Sequence, residues 1–383
     1  MVKICLLVMA RVVTGLLAVT AFPLLVYGND IPSAATACRT DRFKQFQQDS
    51  AETRKQCQQA AEQGDVAGQT YVGRMYQFGF GVEKNHKEAM DWYKKAARKG
   101  YPPAQYGVGT IYRFNENESA RSFRGIEKNY KESVKWLTKA AEQDYAPAQN
   151  SLGDMYYAGY GVPVDTEKAM EWFTKAAEQG LVEAQTNLGG IYAHCGRFAA
   201  KEGKTDKAAK CFALAIEWYG KAAEQGDISA QLRLAEMYTE DQGVAKDEAE
   251  GMKWYRKAAE LGHSWAQFKL GEMYAEGRGV AKDKAEAAKW YKKAGEQDND
   301  KSMLILGRMY TKGEGVMKDE AEAERWLRKA GERGNVKTLL ELGRMYAQGD
   351  GVAKDEAQAE KWYRKAAEQG SVAAQTALRA MGK

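Results

Sequence analysis

The stretch AQFKLGEMYAEGRGVAKDKAEAAKWYKKAG, residues 266–295, decides the fold. Ala266, Leu270 and Met273 recur at spacings that place them on one stripe of a helix. Gly277 and Gly279 end that helix, in the manner of a left-handed C-cap. Asp283 then stands as an N-cap, with acidic Glu286 in the first turn of a second helix. The second helix puts Trp290, Tyr291 and Ala294 on its buried side and stops near Gln297. An antiparallel pair of this kind buries its apolar faces only by stacking on neighbours.

The neighbours are present. Trp92, Trp136, Trp172, Trp218, Trp254, Trp290, Trp326 and Trp362 each sit in a copy of the same pattern, and the last four steps are all 36 residues. Self-similarity at a fixed period in this range marks a solenoid. The 44- and 46-residue steps are the same repeat with insertions of 8 and 10 residues, near 113–124 and 196–210. Only Trp265 lies outside the register. The sequence thus predicts an all-α solenoid of about eight to nine helix-pair repeats over residues 51–383, preceded by a capping segment at 29–50. Met155, Met237, Met273, Met309 and Met345 fall on the same stripes as core. With 383 residues, 44% hydrophobic and 28% charged, the chain is neither a polytopic membrane protein nor a disordered tail. Its net charge of +5 falls to +3 without Lys3 and Arg11 of the leader, which is no nucleic-acid footprint.

Residues 266–295 follow, nearly position by position, the pattern of the SLR (Sel-one-like) repeats, relatives of the tetratricopeptide repeats, and the chain resembles that family over about residues 51–383. The resemblance implies a right-handed α/α superhelix with curved surfaces that bind other proteins, and bacterial members are often exported. It departs locally: Asp144 and Asp298 replace the usual Gly after the second helix. Exported SLR proteins also resemble immunity proteins that neutralise lipase effectors delivered by type VI secretion, and some cysteine-rich ones resemble reported β-lactamases.

Residues 1–28 read as a secretory signal peptide: Lys3 and Arg11, an apolar run Val12–Val26 too short to span a bilayer, and a small-residue site before Asn29. Ala35-Thr36-Ala37 is a weaker site, and an uncleaved anchor is the alternative. A periplasmic chain without an integral membrane segment after leader removal follows. Cys5 lies in the leader, which leaves an even set of Cys38, Cys57, Cys195 and Cys211 for disulfides. By repeat register Cys195 matches Gly277 and Cys211 matches Asp283, so a bond between them staples the ends of an extended loop, worth about 3 kcal/mol in chain-entropy terms. Cys38–Cys57 follows by elimination and pins the capping segment to the first repeat. Metal ligation by His194 with Cys195 is the rival reading, without a C-x-x-C to support it.

Catalytic patterns fail. Gly203-Lys204-Thr205 lacks the first Gly of a P-loop, no H-E-x-x-H exists, and no serine has Lys three residues on. No cofactor is implied. The better candidate is a binding face on the first helices, at the positions two and five before the repeat Tyr. There the scaffold repeats but the residues differ: Tyr71 and Arg74, Gly107 and Thr110, Ser151 and Asp154, Asn187 and Gly190, Arg233 and Glu236, Lys269 and Glu272, Ile305 and Arg308, Glu341 and Arg344. Leu232, Phe268, Leu304 and Leu340 turn the adjoining position apolar in the C-terminal half, as core or as a groove for a partner helix. The reading is a non-enzymatic protein-binding solenoid of the periplasm, most concretely an immunity-type protein whose partner is a secreted lipase effector. An envelope scaffold or signalling adaptor is the alternative, and a β-lactamase-like or cell-wall hydrolase is the alternative of another class.

Overall fold

The computed structural model describes Cys38 and residues 51–113, 129–240, 244–334, 336–350 and 352–383. The expected signal peptide, the capping segment apart from Cys38, and the insertion after Arg113 lie outside the described residues.

Among the described residues every regular element is a helix: α1 (Ala51–Glu62), α2 (Val66–Phe78), α3 (His86–Arg98), α4 (Pro102–Arg113), α5 (Tyr130–Ala141), α6 (Ala146–Ala158), α7 (Thr166–Glu178), α8 (Val182–Lys201), α9 (Thr205–Glu224), α10 (Ile228–Thr239), α11 (Glu248–Glu260), α12 (Ser264–Glu276), α13 (Lys284–Glu296), α14 (Asp300–Lys312), α15 (Glu320–Glu332), α16 (Val336–Gln348), α17 (Glu356–Glu368) and α18 (Val372–Ala380). From α2 to α17 they form eight pairs of a first and a second helix, flanked by α1 and α18. Outside α8, each first helix packs on its own second helix, and each second helix on the next first helix. The fold is an all-α solenoid. It divides into two compact units, residues 1–190 and 191–383.

The caps follow the local chemistry. Asp283 accepts hydrogen bonds from the backbone N–H groups of Ala285 and Glu286, and Gly277 closes α12 in the left-handed conformation at φ 78°. Asp144 and Asp298, at the position usually held by Gly, adopt the same conformation at φ 57° and 63°, which costs energy for a residue with a Cβ. Each carboxylate is engaged there: Asp144 accepts from Gln149 Nε2 at 3.2 Å, and Asp298 faces Lys329 and Arg333 at 3.0 and 3.2 Å. The hydrogen bond and charge of Lys329, with Arg333, hold the Asp298 carboxyl below its ordinary range.

Inside each pair, small residues admit large ones. A Cβ on Gly153 would lie 2.8 Å from the ring of Phe173, and one on Gly271 would lie 2.7 Å from that of Tyr291. The residue after each repeat Trp is therefore the deep anchor: Tyr93, Leu137, Phe173, Tyr255 and Leu327 are all buried. The Trp itself is less uniform than the periodicity implies. Trp218, Trp290, Trp326 and Trp362 are buried, whereas Trp92, Trp136, Trp172 and Trp254 are half-exposed. On these half-exposed rings the ammonium three residues later lies over the face, at 3.7 Å for Lys95 on Trp92 and 4.0 Å for Lys257 on Trp254. The lysine stem shields apolar ring surface that the helix stack leaves open.

A buried amide ladder links successive repeats. Gln69, Gln105, Gln149 and Gln185 each donate through Nε2 to the carbonyl of an Ala eight residues earlier, at 3.1–3.4 Å, and so satisfy a C-terminal carbonyl of the preceding second helix. Gln143 and Gln179 then donate to Gln105 and Gln149 at 2.8 and 2.7 Å. In the C-terminal unit Gln231 and Gln267 keep the pattern, after which Met303 and Leu339 take the position. The Ala whose carbonyl was capped becomes Gly295 and Gly331 at the same two seams. Trp362 sinks against Gly331 and Trp326 against Gly295. Lys329 leans away from its Trp, at 5.8 Å, and donates to the Gly295 carbonyl at 3.3 Å. Amide and alanine thus give way together to apolar residue and glycine, and the Trp, already buried at Trp290, sinks to 2% and 1% exposure at Trp326 and Trp362.

Candidate functional site

The N-terminal unit contains a groove of about 570 Å³. Its walls come from four first-helix positions. Pro103, Pro147 and Glu183 share one register position near the helix start, and Tyr106 and Asn150 share the next turn. Arg74, Gly107 and Thr110 are variable-face positions, and Gln77 and Phe78 close one end. The last wall is unusual. Tyr145 and Leu181 occupy the residue before their first helix, where Asp65, Asp227, Asn299 and Ser371 provide side-chain N-caps in other repeats. Tyr145 makes no side-chain cap bond, and Leu181 has no acceptor with which to make one. A lost cap costs about 1 kcal/mol. The cap position has been given over to groove wall.

The floor is aromatic and polar together. Tyr93 OH donates to Gln77 Oε1 at 2.6 Å, and Tyr106 packs edge-on against Tyr145 with centroids 5.6 Å apart. Burial pushes both phenols, Tyr93 and Tyr106, above their ordinary range, with Ser151 bonding to Tyr106 and the Arg74 charge opposing in each case. Both stay neutral donors at physiological pH. Beside the groove Asn187 donates to Asn150 at 3.1 Å, and Arg113 pairs with Asp154 at 3.1 Å, joining successive first helices. Burial raises the Asp154 carboxyl in spite of Arg113.

The same register positions in the C-terminal unit are filled. Trp265 stands where Pro103, Pro147 and Glu183 do, and Phe268 where Tyr106 and Asn150 do. Their rings meet at 5.2 Å, with Lys301 over both and Lys269 over Trp265. Phe268 and Leu304 are buried, and Leu232 and Leu340 are half-buried against core, so this stripe is packing and not an open groove. Trp265, outside the Trp register, is the plug.

The sequence-derived candidates divide accordingly. Tyr71 is corrected: at 1% exposure it belongs to the core beneath α1, because its turn faces Cys57 and Met75 rather than solvent. Gly107, Thr110 and Ser151 are also buried, though the first two line the groove. Arg74, Asp154 and Asn187 are half-buried at or near it. In the C-terminal unit Arg233–Glu236 and Lys269–Glu272 pair along their own helices at 2.9 and 3.1 Å. Arg308 reaches Glu341 on the next first helix with two hydrogen bonds, and Arg344 is exposed. Periodicity alone did not point to Tyr145, Leu181 or Glu183. The signal was there in Tyr and Leu at positions that mostly carry Asp, Asn, His or Ser, although Tyr101 occupies the same position without lining the groove.

Both cysteine pairs are disulfides in the structure. Cys38–Cys57 fixes Cys38 against α1, and both are buried with Tyr71 and Met75. Cys195–Cys211 joins α8 to α9 with Cα atoms 5.9 Å apart, so neither sulfur remains as a thiolate beside His194. The extended loop expected between these cysteines is instead helix. α8 and α9 each run to 20 residues and leave only residues 202–204 as a turn. Ala199 and Ala208 are buried in this extension, which explains why the inserted residues prolong the helices.

Residues 66–101, 102–145, 146–181, 182–227, 228–263, 266–299, 300–335 and 337–371 each match the Sel1 repeat. The chain belongs to the Sel1 repeat family. A Sel1 repeat protein from Oxalobacter formigenes is 29% identical over 96% of this chain and 98% of its own, with a TM-score of 0.59. The protein c5321, a protective antigen of uropathogenic Escherichia coli strains displaying an SLR fold, is 34% identical over 87% of this chain and 76% of its own, at a TM-score of 0.42. The immunity protein Pa5087 from Pseudomonas aeruginosa is 20% identical over 60% of this chain and 79% of its own, at 0.36, a likeness of the Sel1 repeat alone. No curated protein matches the chain. Sel1 repeats generally serve as protein-interaction scaffolds, and no helix among the described residues is long and apolar enough to cross a membrane.

Proposed function

We propose that this Sel1 repeat protein is an exported, non-catalytic binder that holds a protein partner in the groove of its N-terminal unit. The observation that carries the reading is the loss of helix caps at Tyr145 and Leu181 in favour of groove walls. Breaks in local consistency of this kind concentrate where function competes with stability. The two disulfides support an oxidising compartment, for which the periplasm is our assignment. The most concrete form of the proposal is an immunity-type protein that neutralises a secreted lipase effector. A stapled, pre-ordered scaffold suits that task because little ordering entropy is lost on association.

The test uses a lipase effector from the same host, with affinity measured by calorimetry and protection by co-expression. Arg74→Glu combined with Asn150→Trp, which reverses a groove charge and fills groove volume, should weaken binding by tenfold or more, about 1.4 kcal/mol, and remove protection. Charge reversal at Arg233, Lys269 and Arg344 should leave both unchanged. The opposite pattern would move the site to the C-terminal first-helix face.

A further inference from the structure

The extension of α8 and α9 makes a feature that the groove does not use. In the regular pair α12 and α13 the first helix ends at Glu276 and the second begins at Lys284. By register those limits fall at His194 and Phe212, so each helix here continues seven residues further, about 10 Å at 1.5 Å per residue. The result is a helical finger of residues 196–210 with the Cys195–Cys211 bond across its base. Its two strands of helix approach closely. A Cβ on Gly196 would lie 2.7 Å from the Phe212 ring, and Ala199 and Ala208 are buried between them.

What the finger presents is basic. Arg197, Lys201, Lys204, Lys207 and Lys210 stand against Glu202 and Asp206, a net +3 within 15 residues of a chain whose whole net charge is +5. Arg197, Lys201, Lys204 and Lys210 are exposed, with Lys204 paired to Glu202 at 2.7 Å. Phe198, beside Arg197, is 41% exposed.

We propose that this finger rests on an anionic bilayer surface. Three features favour lipid headgroups over an acidic protein face. The finger extends past the regular helix pair as the turn of two lengthened helices, while protein hot spots bury an anchor in a pocket. Four of its five basic groups are lysines, point charges on flexible stems rather than the planar forks that read fixed carboxylates. An exposed aromatic beside basic residues on helix is the pattern of interfacial attachment. The finger would then set the orientation of the solenoid against the membrane, independently of whatever the groove holds.

The experiment is co-sedimentation of the full chain, purified as the host processes it, with phosphatidylcholine vesicles containing or lacking phosphatidylglycerol. The readout is how far the finger variants reduce the difference between the two vesicle types, because Lys3 and Arg11, if retained, add the same amount to native and variant chains. Each basic group near an anionic surface contributes about 1 kcal/mol, or about fivefold in partition. Arg197→Gln with Lys201→Gln and Lys210→Gln should therefore lower binding to the anionic vesicles by about 100-fold, with circular dichroism unchanged. Phe198→Ser should lower it further, and added salt should reduce binding by the native chain. Equal binding to both vesicle types, or a triple variant that binds like the native chain, would overturn the proposal. So would retention of the native chain by immobilised polyglutamate but not by anionic vesicles, which would assign the finger to an acidic protein. None of these residues lines the groove, so failure here leaves the proposed groove function to its own test.

Discussion

The N-terminal unit and the last repeats of the C-terminal unit build the same helix pair with different means of joining one repeat to the next. In the N-terminal unit the seams are polar: Gln105 and Gln149 cap Ala carbonyls and accept from Gln143 and Gln179, while Trp92, Trp136 and Trp172 stay half-exposed under lysines. Toward the end of the C-terminal unit the seams are apolar, with Met303 and Leu339 opposite Gly295 and Gly331 and with Trp326 and Trp362 buried. The first helices differ independently of the seams: Tyr106 and Asn150 line a groove, whereas Phe268 lies beneath Trp265 on the same helix as the amide of Gln267. An apolar seam gains burial. A polar seam satisfies its carbonyls by directional bonds.

The comparison breaks most sharply at the tryptophans. Trp362→Ala should cost about 3–5 kcal/mol, whereas Trp92→Ala should cost about 2 kcal/mol, because its ring is only partly buried. Urea unfolding of the two variants checks this, and equal losses would mean that the seams do not differ in kind. Next in size is Gly331→Ala. Its Cβ would meet Leu342 at 2.8 Å and Trp362 at 3.4 Å, so a loss of about 1–3 kcal/mol is expected by the same measurement.

A smaller effect of opposite sign comes from a flaw in the ladder. Gln231 is buried and its Oε1 has no partner, and Leu261 stands where Gln143, Gln179 and Gln297 donate in other repeats, 56% exposed. Leu261→Gln should stabilise the chain by about 1 kcal/mol, with slower hydrogen exchange in α10 and α11 as the local sign. Smallest is the pH response of Asp154. Burial raises its carboxyl, so the folded chain takes up the proton more readily than the unfolded chain. This group's contribution to stability therefore increases as pH falls through its raised folded value towards the unfolded one, and is least favourable above both. Asp154→Asn should hold stability within about 1 kcal/mol and flatten that dependence in urea unfolding followed across the acid range.

Most of the fold was legible because it is written many times over. The stripe of Ala266, Leu270 and Met273, the Gly277 turn and the Asp283 cap are local signals, and eightfold repetition averages away departures in any single copy. The groove was less legible because it rests on single departures. Leu181 in a cap position looks like a weak helix start until its neighbours in space are known. The finger was hidden for a related reason. Loop-equivalent positions at Cys195 and Cys211 suggested a longer loop, yet the inserted Ala199 and Ala208 supply the small residues that two helices need to run on together.

The pairing of Gln with Ala, and of Met or Leu with Gly, restricts how such an array can gain or lose copies. A deletion joining residues up to 262 to those from 335 removes two whole periods and leaves every remaining helix intact. It would nonetheless set the Ala259 carbonyl opposite Leu339, without the amide of Gln267 that now caps it at 3.1 Å. The exchangeable module is therefore not a helix pair cut at its loops. It is the length of chain from the middle of one second helix to the next first helix, inherited whole.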